Sequence, residues 1–193
     1  QIYFAAFTGA IGIANGLDDV LNAGRELIKR GRDDIHFLLI GDGNCKDYLK
    51  KRVKDENIYN CHFLDPIPKY ELAKLLNQSI DIGLMILDDI PEFYNGTSPN
   101  KFFDYIASGL PVLINYPGWL SHLVEKYNLG KTTSPKEPAI FAEKIINMCD
   151  NSNELLKMSL NARSLAEKNF SRRKLSDQFH KIIETYLVKD GRK

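Results

Sequence analysis

Ile35-His36-Phe37-Leu38-Leu39-Ile40-Gly41-Asp42-Gly43 is the stretch that decides the fold. Its first six residues are apolar apart from one histidine, the composition expected of a strand buried on both faces of a parallel sheet. Two glycines around an aspartate stop the run, and a charged stretch with helical spacing follows over residues 46–56. Strand, tight turn and helix make one βα unit, and the unit recurs in both directions along the chain. Residues 2–8 read as a strand that passes through a glycine-rich connector into a helix at 18–30. Val20, Leu21, Leu27 and Ile28 mark the buried face of that helix and Gly31 closes it. Residues 60–64 form a third strand, broken by Asp65-Pro66-Ile67-Pro68 before a helix through Tyr70, Leu72, Ala73, Leu75 and Leu76. A fourth covers 82–87, a fifth 111–114 and a sixth 130–133, with a helix at 119–127 between the last two. The expectation is an α/β, Rossmann-like, doubly wound parallel sheet of about six strands, with helices on both faces. Three amphipathic segments then close the chain: Ile140 to Met148, Leu155 to Leu165, and Leu175 through Phe179, Ile182 and Ile183 to Tyr186.

The 193 residues suit one domain over 1–193. Hydrophobic residues at 44% and charged residues at 26% are those of a soluble globular protein. With 26 basic against 25 acidic side chains the net charge is +1, which lacks the excess that nucleic acid would attract. The local basic excess lies at Arg172, Arg173 and Lys174 and again at Lys189, Arg192 and Lys193, a solvated tail or a weak peripheral contact with a membrane. Cys45, Cys61 and Cys149 are odd in number and in no CxxC pair, so neither a disulfide framework nor a zinc site is expected, and a cytoplasmic setting fits. No run approaches the length of a membrane span. The four histidines are scattered and Asp88-Asp89 point different ways, so no metal ligand set is expected. No Ser/His/Asp set can be assembled either, and no catalytic residue is assigned.

In an open parallel sheet ligands bind at the carboxyl ends of the strands, so the loops opening with Gly9, Gly41, Asp65 and Gly96 should share one rim. The turns Thr8-Gly9-Ala10-Ile11-Gly12 and Gly41-Asp42-Gly43 could bring backbone N–H groups close to a phosphate, or simply turn the chain. Neither is a P-loop or a complete dinucleotide fingerprint. The loop at 88–97 is long for a compact domain. Beyond it Ser98 suits an N-cap, Pro99 the first helical position and Gly109 the terminating position. Thr97, Ser98 and Lys101, one turn in, could receive a diphosphate, or could be plain capping with an exposed lysine. Asp104 could accept from ribose hydroxyls or pair with Lys101 at (i, i+3).

The segments Phe7-Thr8-Gly9 with Asn15-Gly16-Leu17, Phe37 to Gly43, His62 to Pro68 and, most specifically, the run SPNKFFDYIASGLPV from Ser98 to Val112 together resemble the C-terminal domain of glycosyltransferase family four, the retaining GT-B enzymes. The resemblance extends over essentially the whole chain and is nearest in kind to bacterial O-antigen and capsule amino-sugar transferases, such as L-fucosamine transferases. It implies a nucleotide-sugar donor, UDP-linked, and no metal cofactor. It implies that Gly9, Gly41, Asp42 and Gly43 approach the donor, that the backbone near Ile67 reads the base, that the N–H groups of Thr97 and Ser98 hold phosphate, and that Asp104 binds ribose in place of a glutamate. Gly96 stands where the family carries its other glutamate, and Ala10 and Asn15 stand about where it carries an arginine and a lysine, a gap Lys101 would fill. An N-terminal acceptor domain, onto which the last helix crosses back, is implied as partner, so the chain alone should bind nucleotide weakly and transfer no sugar. Two other classes remain: a nicotinamide-dependent oxidoreductase, which would need a fuller GxGxxG, and a non-catalytic nucleotide-binding module with a flavodoxin-like sheet.

Overall fold

Six short strands hydrogen-bond side by side in the order β3-β2-β1-β4-β5-β6, every neighbouring pair parallel. They are β1 (Tyr3–Thr8), β2 (Ile35–Ile40), β3 (Cys61–Leu64), β4 (Ile82–Met85), β5 (Val112–Ile114) and β6 (Gly130–Thr132). The computed structural model describes residues 1–189; Arg192 and Lys193 of the basic tail lie outside the described residues. This is the expected doubly wound sheet. Its strand order reverses between β1 and β4, so the carboxyl ends of those two strands flank the crevice where such folds bind ligands.

Side chains alternate across each strand, and the alternation divides the core into two. Ala5, Phe7, Phe37, Leu39, Leu84 and Leu113 face one way, against α1 (Asp18–Lys29), α2 (Lys46–Asp55) and α7 (Pro138–Asp150). Ala6, Ile40, Met85, Val112 and Ile114 face the other, against α3 (Lys69–Ser79), α5 (Asn100–Ala107), α6 (Trp119–Lys126) and α8 (Ser152–Asn169). The helices therefore cover both faces, as the apolar strands require. β2 is not buried along both of its faces, as its composition suggested. It is one strand in from the edge, and His36 and Leu38 remain half-exposed where α3 leaves the sheet partly open.

Two local expectations are corrected. The stretch from 88 to 97 is not all loop: α4 (Pro91–Gly96) forms a helix too short to show periodicity, started by Pro91 at its first turn. Its Tyr94 ring stacks on Tyr116 at 6.2 Å, the Thr97 hydroxyl donates to the Phe93 carbonyl (2.9 Å), and Trp119 Nε1 donates to the Thr97 carbonyl (2.9 Å). Nor does Ser98 cap α5. The helix starts at Asn100, with Pro99 extended (φ −72°, ψ 132°) at the cap and no side-chain capping bond. A residue preceding proline is driven away from the helical region, so Ser98 stays on the approach.

The last helix, α9 (Arg172–Lys189), lies outside both cores. Leu175, Phe179, Ile182, Ile183 and Tyr186 are exposed along it, an apolar face not covered within the described residues. None of the described helices is long and apolar enough to cross a membrane.

Candidate functional site

The rim at the carboxyl ends of β1, β2 and β4 is built by backbone geometry. Gly9 follows β1 with φ +126°, and its N–H donates to the Ile40 carbonyl at 3.0 Å. Gly41 follows β2 with φ +152°, and a Cβ there would stand 1.8 Å from the Gly9 carbonyl oxygen. The two turns therefore touch backbone to backbone, and only glycine at 41 permits it. The Asp42 carbonyl accepts from Ile11 N–H (2.8 Å), while the Asp42 carboxylate accepts from Gly43 N–H (2.9 Å). The Asn15 amide donates to the Ala10 carbonyl at 2.8 Å, tying the first connector together.

Three side chains missed in the sequence reading brace this rim. Lys46, the first residue of a charged helix, is only 6% exposed. Its Nζ donates to the Gly41 carbonyl (2.7 Å) and the Asp65 carboxylate (2.7 Å), with the Leu64 carbonyl at 3.4 Å, stapling the ends of β2 and β3. Lys46→Met should destabilise the chain by about 1–3 kcal/mol, because buried carbonyls lose their charged donor. Urea denaturation measures this, and a loss below about 0.5 kcal/mol would show that the staple contributes nothing. Tyr105, fully buried on α5, accepts from Thr8 N–H (2.9 Å) and holds the end of β1 against that helix. Asn115, also fully buried, accepts from Leu87 N–H (2.9 Å) and donates to the Leu87 carbonyl (3.0 Å), closing the end of β4. Tyr105 and Asn115 lie far in sequence from the loops they hold, and Lys46 also reaches across to Asp65, so no local pattern could have marked them.

Two cavities open on this rim. One, of about 340 Å³, is lined by Thr8, Gly9, Ala10, Ile40, Gly41, Asp42, Pro66, Ile67 and Leu72, so it brings together Gly9, Gly41, Asp42 and Ile67. Gly43 is not in its wall; the glycine there lets the second turn pass the Ile11 carbonyl. The other, of about 180 Å³, is lined by Asn15, Met85, Ile86, Leu87, Thr97, Ser98, Pro99, Lys101 and Tyr116. Lys101 separates the two, its Nζ 3.5 Å from the Phe7 ring centroid and 3.5 Å from the place a Gly9 side chain would occupy.

Lys101 is thus neither exposed nor paired with Asp104. Its ammonium lies over an aromatic face, an arrangement worth only about 1–2 kcal/mol. Burial pushes its pKa down to about 7, with no carboxylate opposing the shift. Thr97 and Ser98 reach the same cavity, and among the described residues no acceptor takes either N–H. Asp104 faces away, toward a groove of about 700 Å³ between α5, α8 and the start of α9, and pairs with Lys69 of α3 at 3.1 Å. A cation without a counter-ion, free N–H groups and a glycine-walled approach make a receiver for an anion. Among the described residues no group of three or more histidine, cysteine or acidic side chains that could hold a metal converges.

Residues 4–151 match the family model described as glycosyl transferases group 1. No curated protein matches the chain. Among solved structures it is similar to WaaG, a glycosyltransferase involved in lipopolysaccharide biosynthesis, with 19% identity and TM-score 0.71 over 88% of this chain and 44% of that one. It is also similar to Anabaena Alr3699/HepE in complex with UDP, with 16% identity and TM-score 0.79 over 95% of this chain and 49% of that one. A third is the C-terminal domain of the group 1 family protein LpcC from Francisella tularensis, with 18% identity and TM-score 0.70 over 88% and 87%. The chain spans about half the length of the first two.

Proposed function

The chain belongs to the glycosyl transferases group 1 family, and from that membership we propose that it is the donor-binding half of a retaining GT-B glycosyltransferase, taking a UDP-linked sugar. The observation that carries this reading is Lys101, a partly buried cation without a counter-ion among the described residues, set between the two rim cavities beside Gly9 and the free N–H groups of Thr97 and Ser98. In this reading the base enters the cavity at Ile67 and Gly41 and the diphosphate spans from Gly9 to Lys101. Asp104 exchanges Lys69 for the ribose hydroxyls. Lys101 replaces the cations that Ala10 and Asn15 do not supply. The UDP and UDP-glucose complexes of the Anabaena protein support the choice of nucleotide.

The chemistry follows from the charge. As the glycosidic bond to the diphosphate breaks, negative charge gathers on the leaving oxygens, and a preorganised ammonium and N–H groups stabilise it. No metal ion is called for. The exposed apolar face of α9 supports a second, acceptor-binding domain, with transfer to a polysaccharide or lipid-linked acceptor of the bacterial surface at the cytoplasmic side of the membrane.

Calorimetric titration of the chain with UDP, GDP, NADH and FMN tests the reading. Saturable UDP binding is expected, weakened about 5- to 20-fold by Asp104→Ala, which removes charged hydrogen bonds to ribose. Preference for NADH would favour an oxidoreductase. No affinity for any of the four would leave a binding module of another kind.

A further inference from the structure

Tyr116 follows β5 and is 1% exposed, and although the Thr97 side chain stands beside it, its hydroxyl makes no hydrogen bond of normal geometry within the described residues. A buried hydroxyl left without a partner costs about 1–3 kcal/mol, so such a group usually serves a ligand or an ordered water. The hydroxyl belongs to a ring fixed in place, stacked on Tyr94 with the planes 12° apart. It lines the 180 Å³ cavity that also holds Lys101.

The wall chemistry narrows the occupant. Met85, Ile86 and Leu87 form an apolar side, Asn15 and Tyr116 offer neutral polar groups, and Lys101 supplies one positive charge at the border with the neighbouring cavity. An inorganic anion would waste the apolar side. The volume equals that of about six waters at about 30 Å³ each, room for one sugar ring and too little for a nucleoside. A hydroxylated ring attached to an anionic group satisfies every wall: its carbon face lies on Met85 and Leu87, its anionic attachment reaches Lys101, and a ring hydroxyl pairs with the tyrosine.

We propose that Tyr116 is a specificity-determining residue, its hydroxyl hydrogen-bonding a hydroxyl of the sugar ring that the nucleotide carries into the cavity beside Lys101. The inference rests on the nucleotide-sugar reading and deepens it. A fixed phenol reads one position on the ring, so it discriminates between sugars that differ there and is blind to the nucleotide.

Tyr116→Phe keeps the ring, its stack on Tyr94 and the filled volume, and removes only the hydroxyl. The probes are UDP, UDP-glucose, UDP-galactose and UDP-N-acetylglucosamine, each titrated calorimetrically into wild type and variant. The wild type should separate at least two of the sugars by about fivefold, the worth of one neutral hydrogen bond. The variant should bring those ratios to within about twofold while UDP itself binds unchanged. Its unliganded melting temperature should hold or rise by about 2–4 °C, since an unsatisfied group has been removed. Ratios that persist in the variant, or no discrimination by the wild type, overturn the proposal. So does a parallel loss of UDP affinity, which would assign the hydroxyl to the nucleotide, and so does a clear fall in melting temperature, which would assign it to the protein. Failure of the wild type to bind UDP registers separately, as failure of the nucleotide reading itself, and the inference falls with it.

Discussion

Replacing Lys101 by methionine should weaken UDP binding about 30- to 100-fold while stabilising the unliganded chain, since a charged hydrogen bond to phosphate is lost together with a buried charge. The opposite signs are the point of the experiment. A lysine kept for the fold would lose stability on replacement; one kept for a ligand is a cost to the fold, and removing it is a gain. The cost follows from the depressed pKa. An unfolded lysine titrates near 10.4, the folded one at about 7. Between those values the unfolded state holds more protons, so stability rises with pH across that window and the penalty is complete below it. Discounted for the partial exposure of the side chain, the gain for Lys101→Met at pH 6 should be about 1–3 kcal/mol, shrinking toward pH 10.

Binding runs the other way. The diphosphate needs the ammonium, so above pH 7 complex formation must take up a proton at Lys101, and wild-type affinity should fall as pH rises from 7 to 9. The slope approaches about tenfold per pH unit at its steepest. Working above pH 6.5 keeps the terminal phosphate ionised, as its own second pKa is near 6. Calorimetry in buffers of different ionisation enthalpy measures the proton uptake directly. In Lys101→Met both the slope and the uptake should vanish; a variant that keeps them places the titrating group elsewhere.

This behaviour was not legible in the sequence, and the reason is physical. Lys101 is the second residue of a helix, where most lysines reach solvent, and the wall that covers it comes from outside the helix. That wall is Phe7 and Gly9, more than ninety residues earlier, brought there because β4 pairs with β1. Strand existence is a local property: the apolar run at 35–40 and the glycines after it announce β2 and its turn without reference to anything else. Strand order is not local. The placement of β2 beside the edge strand β3 left His36 and Leu38 half-exposed in a run that composition alone reads as buried. The same distinction separates Gly9, Gly41, Asp42 and Ile67, which neighbouring turns bring to one cavity, from Asp104, which lines a different groove from Lys101 and pairs with Lys69 of α3. Local chemistry also misled once: Ser98 has the side chain of a cap, but Pro99 dictates its backbone, and the helix begins beyond both.

Gly41→Ala should cost about 3–5 kcal/mol of stability, enough to unfold much of the population of a domain of ordinary stability. Two independent penalties add. At φ +152° an L side chain is held in a region that glycine alone occupies readily. The new methyl would also sit 1.8 Å from the Gly9 carbonyl oxygen, which is backbone and cannot swing aside as a side chain would. Relief requires the ends of β1 and β2 to part, yet Gly9 N–H is bound to the Ile40 carbonyl and Lys46 clamps the Gly41 carbonyl, so the strain spreads into two strands. Gly9→Ala is the control. It has the same kind of positive φ, +126°, but its methyl would meet only the end of the Lys101 side chain at 3.5 Å, an ordinary contact. That variant should lose about 1–2 kcal/mol from backbone strain alone and fold. It should bind UDP more weakly than its stability loss explains, because the added methyl stands between the two cavities, against the Lys101 ammonium. Guanidinium denaturation of the pair orders the two roles. If Gly41→Ala proves as stable as Gly9→Ala, the contact between the turns is not what demands glycine at 41. If Gly9→Ala binds UDP as the wild type does, the diphosphate does not pass over that glycine.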